Sequence, residues 1–190
     1  MNEKVKMISG IIYDANNSTL LKEREYAKDL CFEFNNTKPS NTTSQEEIIN
    51  KLIKIKGNNV TVIAPLYCDY GYNIEIGNNF FCNHNTIFLD GNKITFGDNV
   101  YIGCNCGFYT VNHPVNITQR NIGLEITKPI SIGNNVWFGS NVTVLPGVNI
   151  EDNVIIGAGS VVTKNIQKNS IAVGNPCKII KVLTDEELYG

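Results

Sequence analysis

The stretch that decides the fold is residues 130–162, which read ISIGNNVWFGSNVTVLPGVNIEDNVIIGAGSVV. An aliphatic or aromatic residue stands at every sixth position, and the phase holds without a slip at Ile132, Phe138, Val144, Ile150, Ile156 and Val162. A constant short period is typical of a solenoid in which each hexad forms one flat face and three hexads form one coil. The repeat therefore predicts a parallel β-helix.

Two shorter runs of the same repeat precede this stretch, separated from each other by a shift of two residues. Their anchors are Ile76, Cys82, Phe88, Phe96, Ile102 and Phe108. Short polar segments fall where the faces should meet, and Gly, Asn and Asp tolerate the positive φ of a sharp corner. The segments are 77–79, 97–99, 133–135 and 151–153. A β-sandwich is the alternative, but its strands do not repeat at six residues in phase.

In the N-terminal part apolar residues recur at the three- and four-residue steps of amphipathic helices. Its apolar positions are Leu20, Leu21, Ala27, Leu30, Cys31 and Phe34, followed by a polar break around Pro39. Ser44–Glu47 has the form of a capping box for a further helix that we expect Gly57 to end, and Ile12–Asn16 is expected to be a loop. The predicted organisation is helical over 1–57 and a β-helix over 58–175, with a protruding loop at 109–130 and a packed tail at 176–190.

Composition excludes several classes of function. The 190 residues carry sixteen Lys and Arg against eighteen Asp and Glu, which argues against nucleic-acid and polybasic membrane binding. No apolar run approaches the roughly 20 residues needed to cross a bilayer, and Met1–Lys6 does not resemble a secretory signal. We therefore expect a cytoplasmic protein with six free thiols. We expect no metal site, because Cys104 and Cys106 have no second pair at zinc spacing.

The repeat is accompanied by motifs spread in order along the chain: Cys68–Tyr72, Phe81–Asn85, Asn112–Pro114, Gly123–Glu125, Gly133–Trp137, Gly157–Ser160 and Gly174–Cys177. In this combination the whole chain, its helical N-terminal segment included, resembles the maltose/galactoside O-acetyltransferases, and the maltose branch most. The resemblance implies a left-handed hexapeptide-repeat β-helix. It also implies acetyl-CoA as the acetyl donor and a homotrimer with its active sites between subunits.

Moving an acetyl group to a hydroxyl requires a base for the hydroxyl proton, and imidazole is the side chain suited to operate near neutrality. The chain has only His84 and His113, which excludes the three-histidine zinc carbonic anhydrase built on the same fold. His113 stands in the non-repeating insert, where a loop can reach a neighbouring cleft, and it matches the family motif. We therefore expect His113 to be the general base and His84 to pack against the coil wall.

The resemblance also implies residues that bind the acceptor. Asn83 matches a catalytic position whose amide can donate to developing charge, and the alternative is a corner asparagine with positive φ. Asp14 and Asp69 match acceptor-binding positions, where a carboxylate can accept from two vicinal hydroxyls. The alternatives are a helix N-cap for Asp14 and a turn for Asp69. Glu125 is expected to orient His113 or to bind the acceptor.

On the donor side the resemblance implies contacts with coenzyme A from Trp137, Ser140, Ala158, Thr163, Lys164, Lys178 and Lys181. A long pantetheine arm needs small residues along the prism edge, and Gly139–Ser140 and Gly157–Gly159 supply them. Residues 128–181 hold five lysines against two acidic residues, a local positive charge suited to phosphates. For Trp137 the alternative is simple packing.

The predicted function is thus an acetyl-CoA-dependent O-acetyltransferase acting on a hydroxyl of a maltose- or glucose-type sugar. The alternative is a hexapeptide acyltransferase with another acceptor, such as a different glycoside, an amino sugar, serine or an antibiotic. The pair Asp14 and Asp69, together with the maltose-type N-terminal segment, favours the sugar.

Overall fold

The computed structural model of the chain describes residues 1–55 and 57–190, without the side chain of Ile55. Its helices are α1 Glu3–Ile8, α2 Ser18–Asn36, α3 Thr42–Leu52, α4 Ile117–Asn121 and α5 Asp185–Tyr189. Its strands are β1 Tyr13–Asp14, β2 Lys54–Ile55, β3 Val60–Val62, β4 Leu66–Cys68, β5 Ile74–Ile76, β6 Phe80–Cys82, β7 Thr86–Leu89, β8 Ile94–Phe96, β9 Tyr101–Ile102, β10 Gly107–Tyr109, β11 Val111–Asn112, β12 Leu124–Thr127, β13 Ile130–Ile132, β14 Trp137–Phe138, β15 Thr143–Val144, β16 Asn149–Ile150, β17 Val154–Ile156, β18 Val161–Val162, β19 Ser170–Val173 and β20 Lys178–Val182.

The strands form three parallel sheets, which are the faces of a β-helix. One face is β4-β7-β10-β15-β18 and a second is β2-β5-β8-β13-β16. The third is β3-β6-β9-β14-β17-β19, to which β20 adds an antiparallel edge. The coils number about six, and the predicted left-handed parallel β-helix is confirmed.

The hexad anchors point into the prism and form its core. All twelve anchors named above are buried. The rings of Phe88, Phe96, Phe108 and Phe138 stack along the axis at centroid distances of 5.2–5.8 Å. Burying one such side chain stabilises the fold by roughly 1.5–3 kcal/mol. The six-residue period therefore arises because the anchor side chains must pack against one another inside successive coils.

One corner of the prism is held by a ladder of asparagines. Each has a φ of 54–58°, and each side-chain amide bonds to the next at 2.8–3.0 Å. The members are Asn59, Asn79, Asn99, Asn135, Asn153 and Asn169. The predicted corner segments are located correctly, but their glycines are required for a different reason. A Cβ at Gly97 would lie 2.5 Å from Oδ1 of Asn134, so close approach of the coils selects glycine there, and asparagine takes the positive φ.

The N-terminal segment differs from its predicted detail in three ways. Asn41, whose side chain accepts from the Ser44 backbone N–H, caps α3, so the capping box predicted at Ser44 is wrong. Helix α3 ends at Leu52, so the end predicted at Gly57 is wrong. Residue 56 lies outside the described part of the chain. Solenoid strands begin with β2, which pairs with β5. The predicted loop at 12–16 contains β1.

The insert at 109–130 is a folded arm. Strands β11 and β12 pair with each other, β1 pairs with β12, and α4 lies between β11 and β12. The 176–190 tail provides β20 and the short α5, which is capped by Thr184. None of the helices in the described ranges has the length and apolar character needed to cross a membrane.

Candidate active site

The three-stranded sheet β1-β12-β11 gathers three of the predicted site residues. Asp14 pairs with Leu124, and Tyr13 pairs with Glu125. His113 follows β11 directly, and its imidazole Nδ1 bonds to the Leu124 carbonyl at 2.9 Å. Asp14 lies about 100 positions before His113 and Glu125 in the sequence, and the antiparallel pairing of β1 with β12 of the arm brings the three together.

The bond at Nδ1 determines the tautomer of His113. A carbonyl oxygen can only accept, so Nδ1 must carry the proton and the neutral ring keeps its lone pair on Nε2. The side chain is exposed, so Nε2 can reach a ligand. Orientation by Glu125 is not what the structure shows, because Leu124 provides the bond.

Glu125 instead accepts a hydrogen bond from the Tyr13 hydroxyl. Burial and this carboxylate together raise the pKa of Tyr13, which therefore remains a neutral donor. Asp69 lies near enough to feel the charge of Glu125, and burial raises the pKa of the Asp69 carboxyl while Arg24 opposes that shift. Asp69 and Glu125 are therefore two carboxyl groups in mutual proximity, and Asp14 is exposed on the strand that pairs with the one carrying Glu125.

The alternative role predicted for Asp14, that of a helix N-cap, is not observed. Asn17, not Asp14, is the N-cap of α2. The Asp14 carboxylate accepts from the Asn16 backbone N–H at 2.9 Å and is otherwise directed to the surface. Asp69 does follow β4 at a turn, and it is also one of the residues that line a cavity of about 470 Å³.

Arg24 was not predicted as a site residue. Its guanidinium donates to the Tyr70 hydroxyl and to the Ala15 carbonyl, each at 2.6 Å. These two hydrogen bonds join α2 to the segment that carries Asp14 and to the segment that carries Asp69. The positive charge of Arg24 also lowers the pKa of Asp69 more than any other charge does. The signal in the sequence is weak, because arginine on an amphipathic helix usually faces solvent.

Asp90 likewise has no role predicted from the sequence, yet it is fully buried. Its Oδ1 accepts from the backbone N–H groups of Asp69 and Tyr70 at 3.0 and 2.8 Å. Its Oδ2 has no hydrogen-bond partner among the described residues. Burial raises the pKa of Asp90 to about 8. Asp90 thus positions the backbone that carries Asp69, and its side chain does not itself reach a ligand.

Asn83 lies on a different corner, which we call the Ser140 edge. Backbone bonds of 2.8–2.9 Å between successive coils align four residues along it: His84, Cys104, Ser140 and Ala158. The φ > 0 residue at this corner is Asn85 rather than Asn83, so the positive-φ alternative for Asn83 is wrong. Oδ1 of Asn83 accepts from the His84 backbone N–H at 2.8 Å, which fixes the amide at the edge.

Three predicted donor residues lie at this edge. Ser140 and Ala158 belong to its alignment, and Trp137 stands just before it on β14. Trp137 is 55% exposed and is adjacent to Tyr101, itself 51% exposed, on the neighbouring coil. Core packing therefore does not account for Trp137. Cys104 is half-buried and lies beside Ser140 on the same edge.

The remaining donor residues lie elsewhere. Thr163 and Lys164 follow β18, at the corner where Asp69 follows β4 in the same sheet, which we call the Asp69 edge. Lys178 and Lys181 are exposed on β20, where Lys178 pairs with Val173. Lys181 is ion-paired with Glu187, so part of its charge is already compensated.

The Ser140 edge and the Asp69 edge do not meet within one chain. The whole face β4-β7-β10-β15-β18 separates them. The arm that carries His113 leaves and rejoins the β-helix at the Asp69 edge, where the Lys128 backbone N–H donates to the Thr110 carbonyl at 2.9 Å. His113, Asp69 and Glu125 are therefore on one edge, and Asn83 and Ser140 are on the other.

A parallel β-helix with an imidazole arm and small residues along an edge defines the class of hexapeptide-repeat acyltransferases. Family models support this assignment directly. Residues 6–57 match the maltose acetyltransferase hexapeptide capping motif, and residues 129–164 match the hexapeptide repeat of succinyl-transferase.

Solved structures narrow the assignment. A maltose O-acetyltransferase from Clostridium difficile 630 is 49% identical with a TM-score of 0.95, over 97% of this chain and 99% of that one. A galactoside acetyltransferase in complex with coenzyme A is 39% identical with a TM-score of 0.95, over 100% and 95%. A hexapeptide-repeat acetyltransferase of Vibrio cholerae O1 biovar eltor, complexed with acetyl coenzyme A, is 31% identical with a TM-score of 0.87, over 97% and 100%. The chain belongs to the maltose/galactoside O-acetyltransferase family and is an acetyltransferase that uses acetyl-CoA.

Proposed function

We propose that this acetyltransferase transfers the acetyl group to a hydroxyl of a sugar of the maltose or glucose type, with His113 as the general base. The observation that carries the proposal is the hydrogen bond from His113 Nδ1 to Leu124. It leaves Nε2 unprotonated in the neutral ring, on the same small sheet that carries Asp14 and Glu125. Carboxylates of this kind accept from the hydroxyls of a sugar and so hold one hydroxyl towards Nε2.

The residues divide the chemistry between them. Nε2 of His113 takes the proton of the acceptor hydroxyl as its oxygen attacks the thioester carbonyl, and the imidazolium then returns a proton to the leaving sulfur. The Leu124 carbonyl keeps the ring oriented throughout. The Asn83 amide is proposed to donate to the negative charge that develops on the acceptor side. The Ser140 backbone N–H is proposed to donate to the thioester carbonyl oxygen as it becomes negative. Asp69 and Asp14 bind hydroxyls of the sugar.

The donor side fits the long arm of coenzyme A. Small side chains follow one another along the Ser140 edge, and a Cβ added at Gly159 would have no neighbour within 4 Å. Trp137 offers an exposed ring beside this edge. Thr163, Lys164, Lys178 and Lys181 are assigned to the phosphates and the nucleotide end, where lysines attract anionic groups.

We further propose a homotrimer in which the Asp69 edge of one subunit faces the Ser140 edge of the next. The support is the separation of the two edges by a complete face of the prism, because a single chain cannot offer His113 and Ser140 to one bound substrate pair. Light scattering should therefore give about three times the chain mass of 21.1 kDa. A monomer of 21.1 kDa that retains full activity would contradict the shared site.

Lysines at the donor end should act on binding. Lys164→Ala is expected to raise the KM for acetyl-CoA more than it lowers kcat, with an effect that shrinks at high salt because exposed charges are screened. Lys181→Ala should have a smaller effect, since Glu187 already pairs with it. Steady-state kinetics at low and high salt measure both, with Lys38→Ala as an exposed lysine away from the site. A loss confined to kcat at saturating donor would contradict the assignment.

The proposed acceptor is tested by thiol release from acetyl-CoA across a panel of maltose, glucose, galactosides, an amino sugar and serine. The proposal expects strong release with maltose or glucose and little with serine. Release that depends on the amino sugar or serine alone would favour the alternative acceptors. No sugar-dependent release at all would refute the sugar reading.

A further inference from the structure

Two of the six thiols are neighbours across the junction between the helical segment and the β-helix. Cys31 on α2 and Cys68 on β4 are 37 positions apart in sequence, and their Sγ atoms are 3.7 Å apart. Their exposures are 4% and 5%. The thiol contacts of Cys82 and Cys106 are to backbone carbonyls instead. The pair Cys31 and Cys68 is thus distinguished by geometry from the other thiol contacts in the described ranges.

A small molecule can reach this pair. Both cysteines form part of the wall of the cavity of about 470 Å³, together with Lys28, Tyr67 and Asp69. Asp69 follows Cys68 directly in the chain and lies on the acceptor side of the proposed site. A cavity of this volume is far larger than a peroxide molecule, so the thiols are shielded from bulk solvent but not sealed from small oxidants.

The contact shifts the two thiols in opposite directions. It lowers the pKa of Cys31, whereas the same contact and burial raise the pKa of Cys68 well above its ordinary value. Since the thiolate is the reactive form, the reaction is written with Cys31 as the attacking sulfur and Cys68 as the resolving one, and exchanging the two sulfurs would give the same disulfide.

We propose that Cys31 and Cys68 form a modification site, a dithiol that a peroxide oxidises to a disulfide. The Cys31 thiolate attacks one peroxide oxygen and becomes a sulfenic acid, while the O–O bond breaks and the second oxygen leaves as hydroxide, which takes up a proton to become water. The Cys68 sulfur then attacks the sulfenic sulfur. An S–S bond forms, and the sulfenic oxygen leaves as water. Two thiols and one peroxide give one disulfide and two waters.

Oxidation acts on the acceptor side of the site. The new bond ties α2 to the residue preceding Asp69, and the sulfurs must approach by more than an ångström to form it. This consequence rests on the proposed function. We expect the KM for the sugar acceptor to rise about tenfold on oxidation, because displacements of this size at a binding carboxylate are costly. The KM for acetyl-CoA should hardly change, since none of the residues assigned to coenzyme A lies in α2 or β4, the two elements that the disulfide would join.

Peptide mapping tests the modification itself. The folded wild-type protein is treated with hydrogen peroxide, remaining thiols are alkylated, and the digest is separated without reductant. The expected product is one cross-linked peptide pair joining Cys31 to Cys68, lighter by two hydrogen atoms and lost on reduction. Cys31→Ser and Cys68→Ser should each abolish it, whereas Cys177→Ser, a buried thiol elsewhere, should retain it. Full alkylation of Cys31 and Cys68, or a cross-link between other cysteines, would overturn the proposal.

Kinetics on the same samples test the coupling. The rise in acceptor KM should appear in the oxidised wild type, reverse on reduction, and be missing from Cys31→Ser. Peptide mapping uses no acceptor, so its result does not depend on whether the proposed sugar is correct. The absence of the cross-linked peptide would therefore contradict the disulfide and not the proposed function. A formed disulfide with unchanged acceptor KM would refute the link to Asp69.

Discussion

Replacing His113 with alanine is expected to lower kcat by about 10²- to 10⁴-fold, the range for loss of a positioned general base. The bond to Leu124 that fixes the tautomer serves only to present Nε2, so removing the ring removes the proton acceptor. The KM for acetyl-CoA should change little, because the imidazole is carried by the arm, which contains none of the residues assigned to coenzyme A. Thiol release at saturating acetyl-CoA and acceptor measures the effect.

The pH dependence adds a second readout. Only the neutral imidazole can accept a proton, so kcat/KM of the wild type should rise with pH and then level off, and His113→Ala should lack that rise.

His84→Ala is the matched control. Its Nδ1 also bonds to a backbone carbonyl, that of Ala64, at 2.6 Å, but the proposed mechanism gives the His84 ring no proton to take, so its loss should cost far less activity. An inactive His84 variant with an active His113 variant would reassign the base.

Changing Asp90 to alanine should destabilise the fold by about 2–5 kcal/mol, because two buried backbone N–H groups lose their acceptor. Those groups belong to Asp69 and Tyr70, so the acceptor KM should rise while kcat is affected less. Asp90→Asn retains an oxygen at the same place and should restore both stability and KM. Thermal unfolding and acceptor kinetics measure the pair of variants. The same acceptor KM in the wild type, Asp90→Ala and Asp90→Asn would show that Asp90 does not position Asp69.

The same carboxyl should make stability depend on pH. Its pKa is raised from 3.8 to about 8 by burial, so between these values the folded chain holds a proton that the unfolded chain releases. The resulting stabilisation is complete below about pH 4 and is lost as pH rises towards 8. Asp90→Asn cannot ionise, so its Tm relative to wild type should rise over this window, by at most roughly 3–5 °C per pH unit.

Asp98→Asn provides the contrast. Asp98 also accepts a backbone N–H, from Asn78, but it lies near the surface, and that bond lowers its pKa. Its contribution to stability is therefore present above its ordinary pKa and is lost as the pH falls through the lowered value. Between pH 5 and 8, Asp98→Asn should show no growing gain over wild type. A gain as large as that of Asp90→Asn would show that the effect is not due to burial.

Much of the solenoid follows from local sequence. The six-residue phase of Ile132 to Val162 names the inward positions, because each anchor must stack on its counterpart one coil away. The corners could be located from their polar segments. The assignment of positive φ to the last asparagine of each segment, rather than to its glycine, could not, because it depends on which backbone the next coil brings close.

The helical segment shows the opposite balance. The amphipathic pattern locates α2 and α3, but the predicted capping box lies at Ser44, whereas Asn41, three residues earlier, is the cap of α3. Periodicity says nothing about β1, a two-residue strand that exists only because the arm offers β12 as a partner.

By itself the sequence determined the β-helix, its core, the arm that carries His113 and the residue types from which an acetyltransferase is built. These depend on a repeat and on motifs contiguous in the chain. Only the tertiary structure showed that Leu124 and not Glu125 orients His113. It also showed that the Asp90 carboxyl accepts from the backbone N–H of Asp69, and that the candidate residues divide between two edges of the prism. The physical reason is that such contacts join residues in or next to different strands, 11 to 21 positions apart in these cases, and the pairing of the arm strands and the stacking of the coils set which of them meet.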